Sequence, residues 1–440
     1  MTLPADVENI ISVLESHGHE AYAVGGCVRD CILGKMPHDW DITTSAKPQE
    51  VKALFKKTFD TGIEHGTVTV VMHGENYEVT TYRVDGKYED GRHPKQVTFT
   101  ASLEEDLKRR DFTINAMAYN PSQGMVDLFG GMDDLQQGII RAVGNPTERF
   151  SEDALRMLRA VRFAAQLNFT IEEETYRAIA DRASTLDRIS AERIQVELVK
   201  MICSENPGKI RDAYKTGLTA VFLPEFDVMM ETEQNTVHHM YTVGEHTIHA
   251  MENINSDKDL RLTMLLHDVA KPKCRVCDDQ GHDHFKGHPA EGALMARDIL
   301  QRLKFDNNTI DTVEKLIKSH DERPELSKRN VRRLLVRIGE DSFDKLMQVK
   351  MADTLAQSTY QRQEKLDYIE GLKKLYQEIQ DEGQCVSIRD MKINGRDIIA
   401  MGVPQSSKIG EIIKQLFDEI LEDPSLNNRE YLLQRAKELI

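Results

Sequence analysis

Hydrophobic periodicity changes once along this chain, near residue 135, and the change divides what the chain can fold into. Before it, apolar residues alternate or run in short β-branched stretches closed by glycine, as in "AYAVGG", "WDITTSA", "GTVTVVMHG" and "NYEVTTYRV". That is the period of strands. From residue 136 onward apolar residues recur at steps of three and four, as in "EDALRMLRAVRFAAQLNF" and "SAERIQVELVKMI", which is the period of amphipathic helices. An α/β part followed by an all-α remainder is expected. A histidine-rich region runs from about 236 to 355, and a Gly-Pro break interrupts "INGRDIIAMGVPQSSKIGEIIKQLFDEIL" near the end.

At 440 residues the chain is long enough for two to four domains. No run of about 18 apolar residues occurs, so no membrane partner is expected. The start, "MTLPADVENIISVLESHGHE", lacks the basic and apolar blocks of a signal peptide, and a cytoplasmic location follows. Six cysteines are too few for a disulfide framework, so reduced thiols are expected. A net charge of −16 argues against generic coating of nucleic acid, while leaving room for a local basic groove.

The chemistry-bearing stretch is "AYAVGGCVRDCILGKMPHDWDITTSA". On a strand, residues two apart face the same way, so Asp39 and Asp41 are expected to project together. Two such carboxylates suit magnesium, which takes one or two and fills its remaining positions with water and substrate phosphates. Upstream, Gly25 and Gly26 end a strand and open a helix whose free N–H groups can cradle a triphosphate. Arg29 and Arg110 could neutralise that triphosphate, and Glu78 in "YEVTTYR" is a candidate third acidic ligand. The competing reading is a solvated strand face beside an ordinary turn.

"VGGCVRDCILGKMPHDWDITTSA", "EDLKRRDFTINAMAYN", "EDALRMLRAVRFAAQLNF" and "ERIQVEL" resemble, in order, the motifs of class II tRNA nucleotidyltransferases (CCA-adding enzymes) and their bacterial poly(A) polymerase relatives. The resemblance implies an α/β nucleotidyltransferase head, a small mixed sheet with flanking helices, over 1–135. It implies a helical neck and body that binds RNA and the nucleotide base over 136–230, and a helical tRNA-binding tail over 357–440. Between them, 231–356 would form an HD-like helical metal domain. The implied partners are tRNA, CTP and ATP, and the implied cofactor is Mg2+. Asp39 and Asp41 would hold the metal. Gly25, Gly26, Arg29 and Arg110 would contact the triphosphate, and Asn115 the sugar or the site around it. Asp153 and Arg156, three apart and expected to neighbour each other on a helix, would read the incoming base. A carboxylate accepts from an exocyclic amine, and a guanidinium donates to ring nitrogen or carbonyl. Arg159 and Arg162 continue at steps of three, each about 60° further round the helix, and are assigned to phosphates or protein contacts. The loop carrying Arg83, Asp85, Tyr88, Asp90, Arg92 and Pro94 resembles the element used in switching from C to A. A-only addition and poly(A) synthesis stay open as alternatives.

A second constellation, "EHTIHAMEN", "LLHDVAKP", "FKGHPAEGA", "IKSHDE" and "KMADTLAQ", resembles the HD phosphohydrolase superfamily. The resemblance implies that His246, His267, Asp268 and Asp353 surround a metal, with His288 and His320 placed to complete a second site. Imidazole together with carboxylate suits a transition metal better than magnesium. A phosphohydrolase acting on RNA 3′ ends as the primary activity is the alternative from another class. "CRVCDDQGHDHF" offers Cys274, Cys277, His282 and His284 as a superficial zinc knuckle, but its His-x-His is cramped for that use. Finally, Lys328, Arg329, Arg332, Arg333 and Arg337 on one helix read equally well as a tRNA-phosphate contact or a solvated face.

Overall fold

The structure, a computed structural model, describes residues 1–37, 39–85 and 97–440. Tyr88, Asp90, Arg92 and Pro94 of the expected switching loop lie outside the described residues. The chain separates into two compact units, Met1–Asp227 and Val228–Ile440.

The first unit begins with α1 (Ala5–Ser16), β1 (Ala21–Val24), α2 (Gly26–Ile32), β2 (Asp41–Thr44), α3 (Pro48–Leu54), β3 (Thr58–Gly62), β4 (Thr67–Met72) and β5 (Glu75–Thr81). It continues through the antiparallel pair β6 (Arg83–Asp85) and β7 (Val97–Phe99), then α4 (Leu103–Lys108), β8 (Met117–Asn120) and β9 (Gly124–Asp127). Seven strands form one sheet in the order β3-β4-β5-β2-β1-β8-β9. All neighbours are antiparallel except β2 and β5, so the sheet is mixed. β1 is buried along its whole length, as a central strand covered on both faces must be. α1 covers the sheet with Val7, Ile10, Ile11 and Leu14, the three-and-four spacing of a helix that buries one stripe.

Beyond the sheet come α5 (Gly131–Gln137), α6 (Pro146–Glu152), α7 (Leu155–Leu167), α8 (Glu173–Arg182) and α9 (Ala191–Ile202). Asn145 caps α6 by accepting from the Glu148 N–H at 3.2 Å, with Pro146 at the first helical position, where its missing donor costs nothing. α7 stops at Asn168, which turns left-handed at φ +57°. Asparagine tolerates that region better than most residues.

The second unit is helical apart from a short antiparallel pair at Val276–Cys277 and Asp283–His284. Helices Val243–Glu252, Lys258–Leu266, His288–Arg302, Asn307–Ser319 and Phe343–Ala356 carry the histidine motifs. Leu316, Val331, Leu334, Phe343, Leu346 and Leu372 share one apolar core, and the last three helices close around Leu416, Phe417, Ile420 and Leu432. Among the described residues no helix is long and apolar enough to cross a membrane.

Candidate functional site

At the end of β1 the chain turns at Gly25 with φ +85°. A Cβ there would stand 3.0 Å from Arg110 Nη1, so left-handed backbone and crowding together require glycine. α2 follows with only seven residues. So short a helix builds little macrodipole, and the positive charge of this turn comes mainly from two arginines. Arg29 is buried, its Nη1 donating to Asn115 Oδ1 at 2.7 Å and its Nε to Asp30 Oδ1 at 2.8 Å. Arg110 meets Asp106 at 3.5 Å, while its Nε is buried without a hydrogen-bond partner. Asp106 is fully buried and also accepts from Thr43 Oγ1 at 3.0 Å and Arg109 Nε at 3.0 Å. It anchors the two adjacent arginines.

Asp41 opens β2 directly beside Glu78 of β5, in parallel register. Asp39 corrects the strand expectation: it lies at a bend, two residues before β2 begins, because the β2–β5 ladder stops at the Asp41–Glu78 pair. Trp40 is buried while Asp39 and Asp41 are exposed on either side of it, so both still present toward solvent. Although its edge is open to solvent, the protein packed around the Asp41 carboxyl desolvates and raises it, Arg110 pulls it down and Asp39 pushes it up again. Glu78 is raised by burial and then by Asp41 and Asp39. Three mutually repelling carboxylates beside one arginine form a site that a divalent cation would relieve. Their ligand atoms are not gathered within 4.8 Å, as those of the histidine cluster are. This looser set fits a magnesium ion that keeps several waters.

Asp153 also departs from expectation. It sits between α6 and α7 in extended backbone, φ −142° and ψ 105°, off the helix face on which it was expected beside Arg156. Its Oδ1 accepts from the Leu155 N–H at 3.0 Å, and its Oδ2 pairs with Arg193 Nη2 at 2.7 Å. An aspartate serves the free N–H groups of a starting helix better than it serves a helix interior. Arg156 is buried on α7, with Nη2 donating to Arg109 O at 2.9 Å and Nη1 to Glu152 at 2.5 Å. Arg159 binds Asp111 Oδ2 through Nε at 2.9 Å and Nη2 at 2.7 Å. Arg162 Nε reaches Glu197 at 2.5 Å, and Arg159 Nη1 approaches the same carboxylate at 3.7 Å. Asn115 Nδ2 donates to Asp111 Oδ1 at 3.2 Å. A polar chain thus runs Arg29, Asn115, Asp111, Arg159, Glu197, Arg162, around the ring of Phe163, which all three arginines approach.

Asp111, Arg193 and Glu197 were missed in the sequence. The available signals were that Asp111 follows Arg110 and that Arg193 and Glu197 stand four apart on α9, hence on one face. Burial pushes the Asp111 carboxyl up, but Arg159, Arg156 and the Asn115 amide together hold it down to about 2. A depressed carboxylate stabilises the fold above its unfolded value near 4, and that stability fades as pH falls toward the folded value. Urea titrations should therefore show the parent losing roughly 2 kcal/mol more than Asp111→Asn between about pH 5 and pH 2. Parallel pH profiles would remove Asp111 from this role.

In the second unit the expected histidine-aspartate set converges. His246 Nε2 lies 3.0 Å from Asp353 Oδ1 and 3.5 Å from Asp268 Oδ2, and His267 Nε2 lies 3.2 Å from Asp268 Oδ2. On the other side of the same carboxylate, His288 and His320 Nε2 lie 3.4 and 3.8 Å from Asp268 Oδ1. Asp268 therefore joins two groups, His246–His267–Asp268 and Asp268–His288–His320, all buried. Each imidazole is oriented from behind. Nδ1 of His267, His288 and His320 meets the carbonyl three residues earlier at 2.7, 2.8 and 2.6 Å, and His246 Nδ1 meets Ala356 O at 3.4 Å. With Nδ1 donating, each Nε2 presents a lone pair. Yet the Nε2 atoms face each other at 3.3 Å (His246–His267) and 3.4 Å (His288–His320), which calls for a proton or a cation between them. Both Asp268 oxygens are buried without a hydrogen bond, although Lys271 Nζ lies 2.7 Å away. The donor set fits two metal ions.

Cys274, Cys277, His282 and His284 do not form a metal-holding group. The hairpin histidines turn instead to Asp278, with His284 Nε2 at 2.8 Å. On the basic helix the cations are committed to carboxylates: Lys328 to Glu378 and Glu382, Arg329 and Arg333 to Glu422, Arg337 to Glu322. Arg332 caps Leu421 O at 2.7 Å. Ion pairs thus tie this helix to its neighbours, with Arg329, Arg333 and Arg337 remaining about half exposed.

Three family models match the chain: a poly A polymerase head domain over residues 21–141, a probable RNA- and SrmB-binding site of polymerase A over 168–230, and a putative tRNA nucleotidyltransferase domain 2 over 291–436. A CCA-adding enzyme of Lactiplantibacillus plantarum is 59% identical over 208 residues, which is 47% of this chain and 51% of that protein. The match thus spans about half the length of that relative. A CCA-adding enzyme of Limosilactobacillus reuteri is 36% identical over 98% of this chain and 95% of its own. Among solved structures, the Bacillus stearothermophilus CCA-adding enzyme in complex with CTP superimposes with a TM-score of 0.73 at 27% identity, covering 100% of this chain and 98% of that one.

Proposed function

Because the chain belongs to the family of CCA-adding enzymes, we propose that it adds C, C and A from CTP and ATP to the 3′ end of tRNA without a nucleic-acid template. The observation that supports this most is the acidic face of Asp39, Asp41 and Glu78 set beside Arg110 and the Gly25 turn. The tRNA 3′ oxygen attacks the α-phosphorus, the bond to the β-phosphate breaks, pyrophosphate leaves, and the hydroxyl proton passes to solvent. Asp39 and Asp41, with Glu78 beside them, would hold magnesium, whose charge offsets that developing on the α-phosphate. Arg29 and Arg110 bind the triphosphate where the backbone at Gly25 and Gly26 permits close approach, and Asn115 orients Arg29. Asp153 and Arg156 read the base, with Arg193 fixing the carboxylate. Arg159 and Arg162 hold the reading helix through Asp111 and Glu197. In this reading residues 1–135 are the catalytic head, 136–230 the base- and RNA-binding neck and body, 231–356 the metal domain and 357–440 the tRNA-binding tail, in a cytoplasmic enzyme.

The test is to incubate the protein with magnesium and tRNA ending at the discriminator base, at CC or at CCA, offering CTP and ATP separately and together. Three residues added to the first substrate, one to the second and none to the third are expected. Addition to the CC end alone would make this an A-adding enzyme, and an unlimited A tail a poly(A) polymerase.

The histidine cluster favours a second activity in the same chain, a metal-dependent phosphohydrolase. His246, His267, Asp268 and Asp353, with His288 and His320, would hold transition-metal ions that activate water toward a phosphate ester. His267→Ala and Asp268→Ala should each lose nearly all bound transition metal by elemental analysis while nucleotide addition persists. Unchanged metal content would make the cluster a structural core of histidines.

A further inference from the structure

Beside the histidine cluster opens a cleft of about 490 Å³, shared by Asp268, His288, His320 and Asp353 with His238, Arg323, Gln357 and Lys365. Lys365 is 9% exposed, and a buried ammonium normally has a carboxylate against it. Here its Nζ donates to Gln357 Oε1 at 2.6 Å and meets His238 Nδ1 at 3.3 Å, both neutral groups. Gln357 in turn donates through Nε2 to both Asp353 oxygens at 3.0 Å. The amide therefore spaces the ammonium from the metal-site carboxylate instead of letting the two pair. Arg323 shares the rim, and among the described residues neither it nor Lys365 forms an ion pair; Asp321, on the same rim, pairs with neither. Because Lys365 can only donate, His238 Nδ1 is the acceptor, so its Nε2 carries the proton and is itself a donor. Against His238 packs the ring of Tyr360, edge to face at 5.1 Å and half exposed.

We infer that Lys365, Arg323 and His238 form a phosphate-binding subsite, with Tyr360 as the adjoining base platform, so that the cleft takes the terminal phosphate of a nucleotide. The inference rests on the hydrolytic reading of the cluster for its purpose, since a phosphate held here lies beside Asp353. Cationic donors not held in an ion pair suit a phosphate dianion, and an exposed aromatic ring suits any base. The amide of Gln357 explains why the lysine stays available: a carboxylate in that position would neutralise it.

The experiment uses the full-length protein loaded with manganese and measures equilibrium binding of inorganic phosphate, of adenosine 3′-monophosphate, and of a short oligoribonucleotide ending in 3′-phosphate or 3′-hydroxyl. Metal content is determined on the same samples. Lys365→Gln should weaken phosphate and nucleotide binding about tenfold or more with metal content unchanged, and Lys365→Arg should restore most of it. Tyr360→Ala should weaken the nucleotide and the oligonucleotide but leave inorganic phosphate unaffected. Tighter binding of the 3′-phosphorylated oligonucleotide than of the mononucleotide identifies an RNA end as the source; equal binding identifies a free nucleotide. Parental phosphate affinity in both Lys365→Gln and Arg323→Gln overturns the subsite even if the parent hydrolyses these esters. Conversely, Lys365-dependent binding with no hydrolysis by the parent leaves the subsite standing and removes the hydrolytic reading.

Discussion

Asp41→Ala should stop nucleotide addition, lowering the single-turnover rate by about a thousandfold or more, without loss of fold. Asp41 stands beside Glu78 in register and near Asp39; burial raises both carboxyls, Asp39 adds to each and Asp41 adds to Glu78, while Arg110 offsets part of the effect at Asp41. In the proposed reaction, deleting one removes a metal ligand while relieving repulsion in the resting protein. The melting temperature should therefore stay level or rise as activity disappears, and Asp39→Ala should behave in the same way. A variant that turns over like the parent would end the assignment of this face. A variant that loses activity only because it unfolds would show instead that the carboxylate is structural.

Arg156→Ala should relax base choice by several powers of ten. Where protein side chains stand in for a template, each hydrogen bond lost to the base edge leaves a buried partner unpaired, and that is a far stronger discriminator than shape. UTP and GTP should then be incorporated alongside CTP and ATP in single-nucleotide assays on tRNA. Triphosphate affinity should fall much less, because Arg29 and Arg110 lie on other elements. Arg156 also donates to Arg109 O and Glu152, so Arg156→Lys is the necessary companion. Lysine keeps a charge but not the planar fork, and it should lose selectivity as well. Parental selectivity in both variants would withdraw Asp153 and Arg156 from base reading.

What the sequence carried was the local grammar. The change of period near 135, the glycine turn before α2, and the order of the histidine motifs are all written in neighbouring residues, and the structure places them accordingly. What it could not carry was partnership across distance. Asp39 reads as strand because Trp40 and Ile42 alternate with it, yet a strand needs a ladder, and the ladder reaches no further than Asp41, two residues on. Asp153 reads as helix because the apolar period starts there, yet its carboxylate is worth more at the helix entrance. Asp111 and Glu197 lie 86 residues apart and gain meaning only when Arg159 is seen between them. The basic helix shows the same limit in reverse: five cations in eleven residues look free until four find glutamates and Arg332 finds the Leu421 carbonyl elsewhere in the chain.

The pinning of the four imidazoles has a consequence for how an ion would enter the proposed metal site. Each ring spends one nitrogen on a backbone carbonyl, three residues earlier for His267, His288 and His320 and at Ala356 for His246, so its orientation is set by the backbone as the protein folds. Ordering a flexible ligand side chain ordinarily costs about 0.5–1.5 kcal/mol when binding has to do it. Here that entropy is already lost before any ion arrives. Uptake should then proceed with little rearrangement of the protein and be governed by loss of the ion's hydration shell and release of the protons shared between facing rings. Its rate should track the water-exchange rate of the metal offered rather than any motion of the chain.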